Sequence, residues 1–278
     1  MKETRAEYLA VEKLRPFEGH PFKVVDNEEM DQLVWSILTQ GLLTPLVVRP
    51  LPNGEYEVIS GHRRLHACKK AGIETVPALI YAIDRDAAAI ALVDSNLQRE
   101  HILPSEKAFA YKLKLEAMNH QGRTSGQVGQ KWTRDEIAEG ESGRQVQRYI
   151  RLTNLIPGIL QKVNEGRIAL TPAVELSYLT DAEQEDLLET MESEDCTPSL
   201  SQAIQMKALS QSGQLDMDTI FHIMTQPKAN QQEKISFKVS ELRDFFPRHY
   251  TAAQMMQEII LAVKERQQRL ARQRDRSR

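Results

Sequence analysis

Gly61-His62-Arg63-Arg64 is the first place in this chain where residue type and spacing suggest chemistry. It lies where an apolar strand pattern gives way to a helical one. A glycine there lets backbone approach a ligand closely. The start of a helix offers unpaired N–H groups and partial positive charge. Two arginines add forked cations suited to phosphate oxygens. Together they predict an anion site, best matched by a phosphate chain. The competing reading is two surface arginines on an ordinary amphipathic helix. A second group, Asn96-Leu97-Gln98-Arg99, precedes Pro104. Its amides suit bases, ribose or metal-bound water and its arginine suits phosphate, although a polar helix end reads the same way.

The third group is a helix-turn-helix pattern over 133–155. Thr133 caps the first helix, with Glu136 at the capping-box position. Gly140 to Gly143 form the turn, and the second helix runs from Arg144 through Arg151. Val146, Tyr149 and Ile150 share one face, while Gln145, Gln147, Arg148 and Arg151 fall largely on the others. A recognition helix needs such an apolar anchor with Arg or Gln free to reach base edges. Arg144 is a phosphate or base candidate. A helical hairpin with an exposed polar face is the alternative.

The elements that position these groups follow from periodicity. Residues 7–14 read as a strand closed by Arg15-Pro16. Asp26 or Asn27 caps a helix to Gln40, with Met30, Leu33, Val34, Ile37 and Leu38 at helical spacing and Gly41 as its stop. Leu46 to Val48 and Tyr56 to Ile59 form a hairpin around Pro52-Asn53-Gly54. A helix over 62–70 and a strand over 76–83 complete a compact α+β unit. Helices over 87–93 and from Pro104 follow, the proline in the position that suits it. Residues 121–130 read as a flexible loop. Shorter helices start near Pro157, Thr171 and Asp181.

The expected domains are therefore residues 1–100, an all-α segment over 101–209, a linker over 210–234, and a C-terminal module over 235–278. That module holds an alternating strand at Ile235, Phe237 and Val239 and a long helix from about Thr251. Residues 181–195 carry eight acidic side chains and no basic one. They read as a solvated helix face, with electrostatic exclusion of DNA as the alternative. The last 15 residues hold seven basic and two acidic side chains.

Bulk composition narrows the classes. With 278 residues and 41% hydrophobic content the chain can bury a real core. Its net charge of −3 means a nucleic-acid binder must segregate charge locally. No run approaches a membrane span, and the first residues lack the apolar core of a signal peptide. Two distant cysteines, Cys68 and Cys196, argue against a disulfide framework or a cysteine zinc site. The expected compartment is the cytoplasm.

In order and spacing, these groups resemble the ParB/RepB partition-protein family. The likeness begins at 28–50, EEMDQLVWSILTQGLLTPLVVRP, which is similar to the family's first box. Gly61-His62-Arg63-Arg64 is similar to its Gly-Glu-Arg-Arg box, and Asn96-Leu97-Gln98-Arg99 to the end of its Glu-Asn-x-Gln-Arg box. The likeness covers residues 7 to 180.

The resemblance implies a ParB/sulfiredoxin-like α+β N-terminal domain before a helix-turn-helix domain. It implies a homodimer that reads a palindromic, centromere-like double-stranded DNA site, a ParA-type ATPase partner, and CTP with Mg²⁺ closing a sliding clamp. By position, Gly41, Thr44 and Pro45 border the nucleotide. Gly61, His62, Arg63 and Arg64 hold its phosphates. Asn96, Gln98 and Arg99 complete the phosphate and metal shell, Asn96 being the metal candidate. The DNA side falls to Thr133, Arg144, Gln145, Gln147, Arg148 and Arg151.

Three departures stand out. His62 and Ser95 replace the carboxylates of the second and third boxes, which removes hard oxygen ligands and argues against more than weak CTP hydrolysis. Asp94 and Glu100 are the nearby substitutes. The turn between Ala138 and Val146 is about two residues short of the family spacing. A helix-turn-helix transcription regulator without nucleotide hydrolysis is the alternative. An enzyme of sulfiredoxin or nuclease type is disfavoured, because Cys68 reads as a small buried residue and no dense carboxylate cluster is present.

Overall fold

Leu9, Val11 and Leu14 are all buried in one apolar cluster. In a single strand side chains alternate between faces, so Leu14 would point away from the other two. The chain solves this with a break. The one strand expected over 7–14 is two strands, β1 (Thr4–Ala10) and β2 (Leu14–Pro16), separated by a 3₁₀ turn at Val11–Lys13. The two then lie at opposite edges of one five-stranded sheet, ordered β1-β5-β3-β4-β2.

The computed structural model describes residues 4–124, 141–226, 245–247 and 249–276. The chain falls into two compact units, 1–226 and 227–278. In the first unit, β3 (Leu46–Pro50) and β4 (Tyr56–Ser60) pair antiparallel, as the hairpin pattern requires, and β5 (Thr75–Tyr81) joins β3 in parallel. β1 closes one edge antiparallel to β5, and β2 the other parallel to β4.

Helix α1 (Glu28–Gln40) begins where Asn27 Oδ1 accepts the Met30 N–H at 3.0 Å, and ends at Gly41, whose φ is +73°. Helix α2 (His62–Lys70) follows β4 directly. Helix α3 (Arg85–Leu97) is longer at both ends than the expected 87–93. Asp84 Oδ1 caps it, accepting the Ala87 N–H at 2.7 Å. Its extension places Asn96 inside a helix.

Helix α4 (Pro104–Thr124) packs along α3. Ala110 and Ala117 share a cluster with Ala88, Ala89, Leu92 and Val93. The buried Lys114 pairs with Asp94 at 2.5 Å. Contacts between α3 and α4 thus cross the boundary expected between 100 and 101, within the compact unit 1–226. The loop expected over 121–130 is also shorter, because α4 includes 121–124; the remainder lies outside the described residues.

Helices α5 (Gly143–Arg151), α6 (Pro157–Asn164), α7 (Leu170–Leu176), α8 (Asp181–Ser193), α9 (Leu200–Gln211) and α10 (Met217–Thr225) share a second core. α10 corrects the linker expected over 210–234. Asp216 caps it, and Ile220, Ile223 and Met224 are buried at helical spacing. Gln184 is fully buried on the acidic helix α8. It donates to the Asn154 and Leu179 carbonyls and accepts the Ile156 N–H, which satisfies the amide.

In the second unit, α11 (Ala252–Arg276) starts just after Thr251, whose Oγ1 accepts the Gln254 N–H. The strand expected at 235–239 lies outside the described residues. Among the described residues no helix is long and apolar enough to cross a membrane.

Candidate functional site

The site grows from one glycine. Gly61 links β4 to α2 with φ +103°, a backbone region that favours glycine. A Cβ at that position would sit 2.5 Å from Leu46 Cδ2 and 3.1 Å from Arg64 Nη2. The missing side chain is what lets the arginine fold back over the strand–helix corner.

Arg64 Nη1 donates to the Thr44 carbonyl at 2.6 Å and the Pro45 carbonyl at 3.0 Å. It thereby ties α2 to the loop after α1. Burial holds the Arg64 pKa below its ordinary value, and the group remains a cation at neutral pH. Arg63 pairs with Glu29 of α1 at 3.0 Å. Arg99, just beyond α3, lies 5.5 Å from the centre of the Phe22 ring. Burial lowers its pKa too, Glu106 opposing and Arg63 adding to the shift.

These groups converge on a cavity of about 540 Å³ lined by Glu29, Gln32, Leu33, Ser60, Gly61, His62, Arg63, Arg64, Ser95, Asn96 and Arg99. Residues far apart in sequence are brought together from α1, the β4–α2 corner and the end of α3. Three guanidinium groups line it against the single carboxylate of Glu29. Six of the expected nucleotide residues line it: Gly61, His62, Arg63, Arg64, Asn96 and Arg99. The others act differently. Thr44 and Pro45 offer carbonyls that hold Arg64. Gly41 ends α1 and Gln98 ends α3; neither lines the cavity. Sequence reasoning missed Glu29, Gln32 and Leu33. Their three- and four-residue spacing marks one face of α1, but only the packing of α1 on α2 turns that face inward.

The ends of the second and third boxes are bound into the fold. His62 Nε2 accepts the Phe17 N–H at 3.2 Å, and its ring lies 3.7 Å from that of His20. Asn96 is buried; its Nδ2 donates to the Leu92 carbonyl at 2.7 Å and to Ser95 Oγ at 3.2 Å. That leaves Oδ1 for the cavity. Ser95 Oγ donates to Leu92 O.

Burial, with smaller contributions from His20 and Arg99, pushes the His62 pKa down to about 3. Its value in the unfolded chain is the ordinary 6.5, so between the two the unfolded state binds the extra proton. Stability from this group is fully present above the upper value and is lost as pH falls through the window, at up to about 1.4 kcal/mol per pH unit. His62→Gln keeps an acceptor for the Phe17 N–H and removes the titration. Urea melts between pH 4.5 and 6.5 should show a shallower pH slope for the variant; an unchanged slope contradicts this role for His62.

The second candidate surface is built on α5. Ser142 Oγ accepts the Gln145 N–H at 3.3 Å, so the helix starts at Gly143, one residue earlier than expected. Val146 is buried with Tyr111 and Met118 of α4, and Tyr149 and Ile150 pack beside it. That apolar face anchors the helix. Arg144 is exposed. Arg148 is braced by Gln145 Oε1 at 3.1 Å and Thr171 Oγ1 at 2.6 Å. Arg151 donates to Ser177 O at 2.9 Å and stacks 3.8 Å from the Tyr178 ring centre, a tie between α5 and the end of α7. Thr133 and the first helix of the pair lie outside the described residues.

The ParB N-terminal domain family matches residues 1–97. The probable chromosome-partitioning protein ParB of Vibrio cholerae is 30% identical over 238 residues, covering 84% of this chain and 77% of that protein. The chain belongs to the ParB family. The ParB likeness carried by the boxes and by the glycine at the head of α2 thus extends through the helical half. Stage 0 sporulation protein J of Bacillus subtilis is 32% identical over 172 residues, 61% of this chain and 56% of that protein. C-terminally truncated ParB from Caulobacter crescentus, in a crystal structure with the centromeric parS site, aligns with a TM-score of 0.43 and 24% identity over 74% of this chain and 99% of that one.

Proposed function

We propose that this ParB-family chain is a partition protein: a homodimer that reads a palindromic double-stranded DNA site through α5 and carries CTP in the cavity between α1, α2 and α3. The observation that carries the reading is the convergence of Arg63, Arg64 and Arg99 on a pocket of nucleotide size at a helix start. CTP closes the N-terminal units of the dimer into a clamp on DNA. The partner is a ParA-type ATPase, and the protein works on the nucleoid in the cytoplasm. The basic end of α11 adds sequence-independent contact with phosphates.

The DNA side rests on the anchored face of α5 and on the bracing of Arg148. Gln145, Gln147 and Arg148 are the base-reading candidates, Arg144 the phosphate one. Selection from a random duplex library should recover a palindrome, and recovery of unrelated sequences contradicts the reading. Arg148→Ala should weaken binding to the selected site by about 1–3 kcal/mol and leave random DNA nearly unaffected. Equal loss on both, in a fluorescence-anisotropy titration, assigns Arg148 to phosphate instead.

The Mg²⁺ that the family likeness implies is poorly matched by the residues present. Mg²⁺ is held by one or two carboxylates together with phosphate oxygens and water. Of the nearby substitutes, Asp94 is engaged with Lys114 and Glu100 is exposed and outside the cavity lining; Glu29 pairs with Arg63. Among the described residues no group of three or more His, Cys, Asp or Glu side chains converges.

The loss of both box carboxylates favours a second reading, a DNA-binding regulator indifferent to nucleotide. DNA residence that does not change with CTP supports it over the clamp. The sulfiredoxin-like alternative finds no support, since no cysteine lines the cavity and burial raises the Cys68 thiol pKa above its ordinary value.

A further inference from the structure

A triphosphate entering this pocket needs its charge neutralised, and the cavity wall offers a divalent cation a single carboxylate, Glu29, which is already paired. His62 gives its Nε2 lone pair to the Phe17 N–H and stacks on His20. Ser95 Oγ donates to Leu92 O and accepts from Asn96 Nδ2. Asp94 is joined to Lys114, itself buried, at 2.5 Å. Glu29, the one carboxylate on the cavity wall, faces Arg63 at 3.0 Å. What remains on the cavity wall is neutral oxygen, from Asn96, Gln32 and Ser60, and the exposed Glu100 lies outside the lining, whereas Mg²⁺ is bound through one or two carboxylates.

The cations are already built in. Arg63, Arg64 and Arg99 all line the cavity, and Arg64 is fixed in place by two backbone carbonyls. Guanidinium groups bind phosphate oxygens in bidentate fashion and stay charged when partly buried. The N-terminus of α2 adds partial positive charge at the same corner.

We infer that this cavity binds a nucleoside triphosphate as the free anion, with the three arginines doing the neutralising work of a divalent cation. The inference rests on the nucleotide reading above and departs from it only in the metal. A cation chelated to the triphosphate lowers the ligand's charge and competes with the arginines. Mg²⁺ in excess over nucleotide should therefore leave affinity unchanged or weaken it. Ser95→Glu places a carboxylate back at the third box, on an exposed position, and should create a Mg²⁺ requirement.

The test is isothermal titration of the full chain with CTP, once in EDTA and once in excess Mg²⁺, for wild type and Ser95→Glu. The expected result is wild-type binding in EDTA at least as tight as in Mg²⁺, and a gain of about tenfold on adding Mg²⁺ for Ser95→Glu. Wild-type binding that appears only with Mg²⁺ overturns the inference and leaves the nucleotide site standing. A Ser95→Glu protein indifferent to Mg²⁺ also overturns it, because the missing carboxylate is then not the cause. Binding in neither buffer removes the nucleotide site itself.

Discussion

Gly61→Ala should lower the melting temperature of the 1–226 unit by about 5–15 °C and abolish CTP binding. Two costs combine. A residue with a Cβ at φ +103° is forced into a left-handed region that costs about 1–2 kcal/mol. The new methyl group then meets Leu46 Cδ2 at 2.5 Å. Leu46 is fully buried in the sheet core, so it cannot swing away, and overpacking of this kind costs about 1–3 kcal/mol. The same methyl lies 3.1 Å from Arg64 Nη2, so relief of one clash displaces the arginine from the cavity. Differential scanning calorimetry with a CTP titration reads both effects. A variant that melts with wild type and binds CTP normally shows that the corner relaxes freely and that Gly61 is not what seats Arg64.

Arg64→Ala should weaken CTP binding by about one to two orders of magnitude or more while site-specific DNA binding in the absence of nucleotide survives. The guanidinium lies between two roles, holding the Thr44 and Pro45 carbonyls and facing the cavity. Alanine removes both. Hydrogen bonds to charged groups contribute about 1.5–3 kcal/mol each, so losing the phosphate contact alone should weaken binding by one to two orders of magnitude, to about that extent. Arg64→Lys separates the roles. Lysine keeps the charge but not the planar fork that meets two carbonyls and a phosphate at once, and it should bind CTP with intermediate affinity. Loss of DNA and CTP binding together in Arg64→Ala, with a collapsed melting transition, assigns Arg64 to folding instead.

Much of this site was legible in the residues because local rules coincide there. Asn27 and Gly41 bound α1 by capping chemistry, and Gly61 and Lys70 bound α2, at the positions expected from the sequence. The cavity's arginines were legible for the same reason: glycine, helix start and forked cation occur side by side. What escaped was non-local. Glu29, Gln32 and Leu33 join the wall through the docking of α1 on α2, which periodicity does not specify. The break at Val11–Lys13 answers a demand of the core, that Leu9, Val11 and Leu14 be buried together, and no turn residue announces it. α10 was hidden by composition. Its polar flanks read as linker, while Ile220, Ile223 and Met224 supplied a buried stripe too short to stand out. Arg151, grouped with the outer residues of its helix, also ties that helix to Ser177 and Tyr178, because α7 ends against it.

The account depends on a polyphosphate meeting the arginines at the head of α2, and the most direct measurement is a comparison of cytidine, CMP, CDP and CTP as ligands of the full chain by isothermal titration. Affinity should climb with each added phosphate, and that climb should flatten in Arg64→Ala. Cytidine binding as tightly as CTP, or a series untouched by the loss of Arg64, contradicts it.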